Sequence, residues 1–84
     1  MNQEKETAQT IQGRLEVLRK ALVSEENSVE YYKTLLEKTP GDTEENIGML
    51  RIYEDLRKEE TKHVVTIQSL ITHWEKQLKE HQAE

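Results

Sequence analysis

The sequence contains no cysteine and no phenylalanine, and only one proline and three glycines in 84 residues. Without cysteine, neither a disulfide nor a thiolate-bound metal centre can stabilise the fold. No apolar run approaches the roughly 18 residues of a membrane-spanning helix. The N-terminal segment, residues 1–10, also lacks the apolar core of a signal peptide. We therefore expect a cytoplasmic protein with no membrane association.

Hydrophobic residues are also scarce, at 33% of the chain against 35% charged residues. Folding costs roughly 1–2 kcal/mol of backbone entropy per residue, and a small domain with a thin core usually needs a disulfide, a metal or a partner. Since there is no cysteine, metal binding and oligomerisation remain. The net charge of −5, with basic residues scattered among acidic ones, argues against a nucleic-acid partner.

The only strong break in the helical pattern is Thr39-Pro40-Gly41-Asp42-Thr43. We predict one all-α domain over 1–84, with helix 1 at about 6–38, a loop at 39–42 and helix 2 at about 43–80. A loop this short makes the two helices antiparallel neighbours.

On both sides of the break, seam positions follow alternating steps of four and three residues, which is a heptad pattern. The predicted seam of helix 1 is Ile11, Leu15, Leu18, Leu22, Glu25, Val29, Tyr32 and Leu36, and that of helix 2 is Met49, Tyr53, Leu56, Glu60, His63, Ile67, Leu70 and Trp74. Neighbouring apolar residues widen both stripes beyond what two helices can cover. We therefore expect a homodimer, or a higher homo-oligomer, in which two hairpins form a four-helix bundle.

Three polar residues interrupt the seams: Glu25 in helix 1, and Glu60 with His63 in helix 2. Folding the chain at its loop brings residue 25 opposite about residue 60, and the Glu-x-x-His spacing places both helix-2 residues on one face. An unpaired buried carboxylate is costly, whereas metal binding neutralises it. Two hairpins would supply four Glu and two His, the ligand set of di-metal carboxylate bundles. Iron or manganese suits these ligands, and zinc also fits.

The segments Ala21–Glu25, Tyr31–Tyr32 and Arg57–His63 resemble the rubrerythrin and encapsulated-ferritin branch of the ferritin-like superfamily. In that family a Tyr follows the helix-1 Glu by seven residues, as Tyr32 follows Glu25 here. The resemblance implies two iron ions per dimer and a ferroxidase, or a peroxide- or oxygen-reducing, activity. Tyr32 is predicted to donate a hydrogen bond to a ligand carboxylate, with simple core packing as the alternative.

Residues 78–84 lack the apolar targeting peptide by which encapsulated ferritins enter their shell. Location in an encapsulin compartment is therefore neither predicted nor excluded. Ser24 and Asn27 stand where those proteins often carry additional acids. The alternative function is a non-enzymatic, dimeric coiled-coil interaction module whose buried polar layer fixes the helix register.

Overall fold

The computed structural model of the protein describes residues 6–83, which form two α-helices and, within that range, no strand. Helix α1 spans Ala8–Lys38 and helix α2 spans Glu44–Ala83. Residues early in α1 pair with residues late in α2, as in the 3.0 Å ion pair between Arg19 and Glu75, so the helices are antiparallel. The all-α prediction is confirmed. The loop includes residue 43, and α2 extends three residues beyond its predicted end.

Threonine side chains define both helix starts. The Thr7 hydroxyl accepts a hydrogen bond from the Thr10 amide at 3.1 Å, and the Thr10 hydroxyl accepts one from the Thr7 amide at 2.8 Å. At α2 the Thr43 hydroxyl accepts from the Asn46 amide at 3.1 Å. Each bond satisfies a backbone donor that the first helical turn leaves unpaired. These caps fix where the two long helices begin.

Between residues 6 and 83, only Ile11 and Leu15 are buried hydrophobic residues, with 0% and 1% exposure. The rest of the interface between the helices is half-buried. Its α2 members repeat with heptad spacing: Leu50, Tyr53, Arg57, Glu60, Val64, Ile67, Ile71, Trp74 and Leu78. A hairpin that buries so little apolar surface has only a small hydrophobic contribution to its stability.

The predicted seam of α2 is therefore only half correct. Tyr53, Glu60, Ile67 and Trp74 face α1, but Met49, Leu56, His63 and Leu70 are exposed. The seam prediction fails on one side because the apolar stripe of α2 is wider than α1 can cover. The side that α1 covers includes Leu50, Arg57, Val64 and Ile71, which leaves the other side exposed. The seam predicted for α1 is at least partly buried at every position.

The four exposed seam residues of α2, which we call the outer line, are Met49, Leu56, His63 and Leu70, spaced seven residues apart. Residues at this spacing lie on one side of a helix. Leu70 shares a surface groove with Trp74 and with Val17 and Leu18 of α1, so apolar residues of both helices meet on this face. Neither helix, over the part of the chain described, has an apolar stretch long enough to cross a membrane.

Candidate metal centre

Glu25, Glu60 and His63 meet at the middle of the hairpin. The Nδ1 atom of His63 lies 3.7 Å from Oε1 of Glu25 and 3.8 Å from Oε1 of Glu60. One ligand atom from each residue lies within 4.8 Å of the others. No other group of three or more His, Asp and Glu residues within 6–83 has this arrangement.

The helix geometry explains this convergence. Glu60 and His63 are one turn apart on α2. Glu25 lies opposite them on α1. Contacts nearer the ends of the hairpin hold the helix register. Arg19 pairs with Glu75, and the Arg14 guanidinium carbon lies 4.8 Å from the centroid of the Trp74 ring.

The three side chains differ in their contact with solvent. The exposed fraction is 21% for Glu60 and 29% for Glu25, but 52% for His63, which belongs to the outer line. The heptad pattern predicts all three in the interior, whereas His63 lies at the edge of the interface between the helices. The solvent-exposed side of the cluster therefore lies on the outer line, between Leu56 and Leu70.

Glu60 also carries a buried oxygen, Oε2, that accepts no hydrogen bond. Buried polar atoms in folded proteins are nearly always paired with protein, water or an ion. An unpaired carboxylate oxygen beside a second carboxylate and an imidazole is what a cation site needs before the cation binds. A cation, or a water held by a neighbouring polar group, would satisfy Oε2.

The three residues fit a metal ion. Ligand atoms bound to a common ion at about 2.0–2.2 Å lie roughly 3–4 Å from one another. The two distances to His63 fall within this range, and the 4.8 Å limit exceeds it by an amount that side-chain rotation can close. Carboxylate oxygens with one imidazole suit iron, manganese or zinc. Three protein ligands leave positions for water, substrate or ligands from a partner.

Tyr32 is half-buried, and its ring packs edge-on against Tyr31 with centroids 5.6 Å apart. The structure of residues 6–83 shows no hydrogen bond from its hydroxyl to Glu25. The core-packing alternative describes this arrangement better, and the hydrogen bond to a ligand stays a prediction.

The heptad pattern does not single out Arg57, which lies three residues before Glu60 in the interface between the helices. One end of its guanidinium donates to Oε1 of Glu54 at 2.8 Å, while its Nε is buried and donates to no acceptor. Glu54 raises the pKa of Arg57 through this hydrogen bond. The sequence feature that could have indicated Arg57 is its spacing. It precedes Glu60 by three residues, just as Glu60 precedes His63, so the three side chains lie on successive turns of α2.

Comparison with known proteins gives no match to any family model, curated protein or solved structure. The resemblance to ferritin-like proteins therefore depends on the sequence segments quoted above and stays an expectation.

Proposed function

We propose that two copies of this hairpin form a four-helix bundle with a shared di-metal carboxylate centre, and that this centre oxidises Fe(II) with oxygen or hydrogen peroxide. Glu25, Glu60 and His63 of each copy would be the metal ligands. The observation that carries the proposal is the convergence of these three side chains from two helices.

The position of the outer line supports the dimer. His63 lies between Leu56 and Leu70, with one heptad on either side, so a surface that covers these exposed leucines also covers the open side of the metal cluster. Exposed apolar residues on one face are typical of an interface. A second hairpin would therefore bury apolar surface and add ligands at the same place.

Charge balance supports two cations rather than none. The paired clusters would bring four carboxylates together, and a group of buried carboxylates without counterions is strongly destabilised. Two divalent ions would neutralise the four negative charges. The open positions left by three ligands per hairpin would let oxygen or peroxide approach the iron.

The chemistry balances in electrons and protons. With peroxide as the oxidant, two Fe(II) substrate ions would give up one electron each, and the peroxide would take up both electrons and two protons to form two water molecules. With oxygen, the same two electrons and two protons would form hydrogen peroxide. Ferric ion then leaves as the product, or is reduced again by a donor, which would make the protein a peroxidase. Glu25 and Glu60 would hold the ions through their carboxylates, and His63 would add an imidazole nitrogen ligand.

The test begins with elemental analysis and sedimentation of protein purified without chelator. We expect a dimer or larger assembly with about one metal per chain. Anaerobic loading with Fe(II), followed by peroxide or air, should produce Fe(III) absorbance faster than buffer does. Glu60→Gln should abolish the acceleration.

Glu59→Gln is the matched control, since it makes the same change in charge at the adjacent, exposed carboxylate. It should oxidise iron at the wild-type rate. Equal losses in the two variants, or a wild-type rate equal to that in buffer, would overturn the proposal.

The exposure of His63 favours a second candidate, a dimeric helical interaction module without metal. A half-exposed imidazole within 4 Å of two carboxylates can form ordinary ion pairs when protonated. This candidate predicts that a chelator changes neither oligomeric state nor stability. It also predicts no metal in the purified protein, so the same elemental analysis separates the two functions.

A further inference from the structure

Two buried side-chain atoms within residues 6–83 have no hydrogen-bond partner, and they belong to residues three apart on α2. One is a donor, Nε of Arg57, and the other is an acceptor, Oε2 of Glu60. Unpaired buried polar atoms are rare in folded proteins. A donor and an acceptor on neighbouring turns of one helix therefore call for a common explanation.

We propose that Arg57 is a positioning residue of the metal centre: its Nε–H donates to Oε2 of Glu60 through one bridging water and thereby holds Oε1 toward the metal. This inference rests on the proposed metal site. It extends that site to a residue that does not itself bind the ion.

The placement of the side chains supports this role. His63 and Arg57 lie three residues after and three residues before Glu60, so they flank it on the same face of α2, one turn toward each end of the helix. Residues three apart on a helix have Cβ atoms roughly 5–6 Å apart. One water, with two hydrogen bonds of about 2.8 Å, is therefore enough to join polar atoms at the ends of two such neighbouring side chains. Oε1 of Glu60 is the oxygen near His63 Nδ1, which leaves Oε2 for the water.

An arginine beside a cation site needs its charge balanced, and Glu54 does this. Its carboxylate accepts a hydrogen bond of 2.8 Å from a terminal nitrogen of Arg57. The ion pair also fixes the guanidinium, so that Nε is the donor that remains. Arg57 thus contributes a directed N–H group and little net positive charge.

Residues that hydrogen-bond to metal ligands typically contribute 10–100-fold to metal affinity. Two substitutions of similar length separate this effect from charge and packing. Arg57→Met places a methyl group where Nε stood, and Arg57→Gln places an amide N–H there. Both remove the same positive charge.

The probe is Zn²⁺, whose affinity for the full chain is measured by competition with a chromogenic chelator. We expect Arg57→Met to weaken Zn²⁺ binding about 10–100-fold and Arg57→Gln to stay close to wild type. The same two substitutions at the exposed Arg51 should leave the Zn²⁺ affinity at its wild-type value. Visible spectra with Co²⁺ should change in Arg57→Met and not in Arg57→Gln, a difference that loss of packing alone would not produce.

Equal Zn²⁺ affinities for Arg57→Met and Arg57→Gln overturn the inference, whether both rise through lost repulsion or both fall through lost packing. If Arg57→Met does not fold, Arg57→Lys replaces it, since lysine keeps the charge but has no N–H at the position of Nε. The inference then predicts wild-type Zn²⁺ affinity in Arg57→Gln and reduced affinity in Arg57→Lys. Wild-type protein that binds no Zn²⁺ at all contradicts the proposed function itself, so the two failures are distinguishable.

Discussion

The open end of the hairpin, where α1 begins and α2 ends, differs from its middle in what holds the helices together. At the open end Ile11 and Leu15 are buried, and Arg14 joins Glu6 to the face of Trp74. At the middle, the corresponding positions hold Glu25 and Glu60, and no residue there is buried.

The difference indicates that apolar packing and the Glu25, Glu60 and His63 cluster are separated along the length of the hairpin. Leu15 and Glu25 are ten residues apart, or about 15 Å along α1. Effects of substitutions at such distances are usually additive. The open end can therefore stabilise the helix pair while the middle keeps carboxylates that an apolar core would exclude.

The largest expected effect is on the open end. Leu15→Ala should lower the free energy of unfolding by about 2–5 kcal/mol, because it removes a fully buried side chain and leaves a cavity. Urea unfolding with chelator present measures this loss. Val23→Ala, at a residue that is 57% exposed, is the control and should change stability by less than about 0.5 kcal/mol.

A small hairpin can unfold completely after a loss of that size. Ile11→Val then provides the measurable version, with an expected loss of about 0.5–1.5 kcal/mol. Equal effects at Leu15 and Val23 would show that the open end is not the stabilising region.

The second prediction concerns stabilisation by metal. A ligand that binds only the folded state at 100 times its Kd stabilises it by about 2.7 kcal/mol. We expect this gain from Zn²⁺ in the wild type and also in Ile11→Val, because the substitution lies far from the site. Glu25→Gln should lose the gain, while the matched variant Glu26→Gln keeps it.

Differential scanning calorimetry with and without Zn²⁺ measures the stabilisation by metal in the wild type and in each variant. A gain in Glu25→Gln equal to that of wild type would mean that the metal binds elsewhere. A gain that disappears in Ile11→Val would mean that the two regions form a single unit.

The third prediction tests the outer line. Leu56→Glu places a charge where each copy of the interface has a leucine that is 38% exposed in the hairpin, and it should weaken the dimer by about 2 kcal/mol or more, since a buried unpaired polar group costs about 1–3 kcal/mol and a charged group more. Sedimentation should then show monomers at concentrations where the wild type is dimeric. Val65→Glu is the control, because Val65 is 56% exposed and lies two residues beyond His63, on another side of α2. Equal dissociation in both variants would contradict the proposed interface.

Heptad spacing and the Pro40-Gly41 break were sufficient to predict two helices, their bounds to within three residues and the seam of α1. The spacing of Glu60 and His63, with the loop position, also predicted which residues meet. The metal role of these residues and the dimer remain predictions.

The side of α2 that faces α1 was not predictable, because Met49 and Leu50, or His63 and Val64, differ by only one position in a wide apolar stripe. Packing against α1 chooses between them, and the choice places His63 at the edge. Arg57 was missed for a related reason, since a charged residue in a charged helix is ordinarily on the surface. Only the folded hairpin shows that its Nε is buried and unpaired.

The smallest expected effect is a pH dependence confined to the open end. Hydrogen bonds from Arg14, at 3.0 and 3.1 Å, and then from Thr10, lower the pKa of Glu6 below its ordinary value of 4.5. The folded state therefore holds the carboxylate ionised more strongly than the unfolded chain does. This contribution to stability is present above about pH 4.5 and is lost as pH falls through the lowered pKa.

The difference in Tm between the wild type and Glu6→Gln should thus be small and constant from neutral pH to about 5, and should close at lower pH. It should also shrink in 1 M salt, where charges are screened within about 3 Å. A difference that persists at pH 3 would indicate lost hydrogen bonding to Thr10 rather than lost charge. Since Glu6 lies far from Glu25 along α1, Zn²⁺ affinity at neutral pH should be unchanged in Glu6→Gln. A change in that affinity would show that the ion pair with Arg14 helps to set the helix register at the centre, and the two regions would then be coupled.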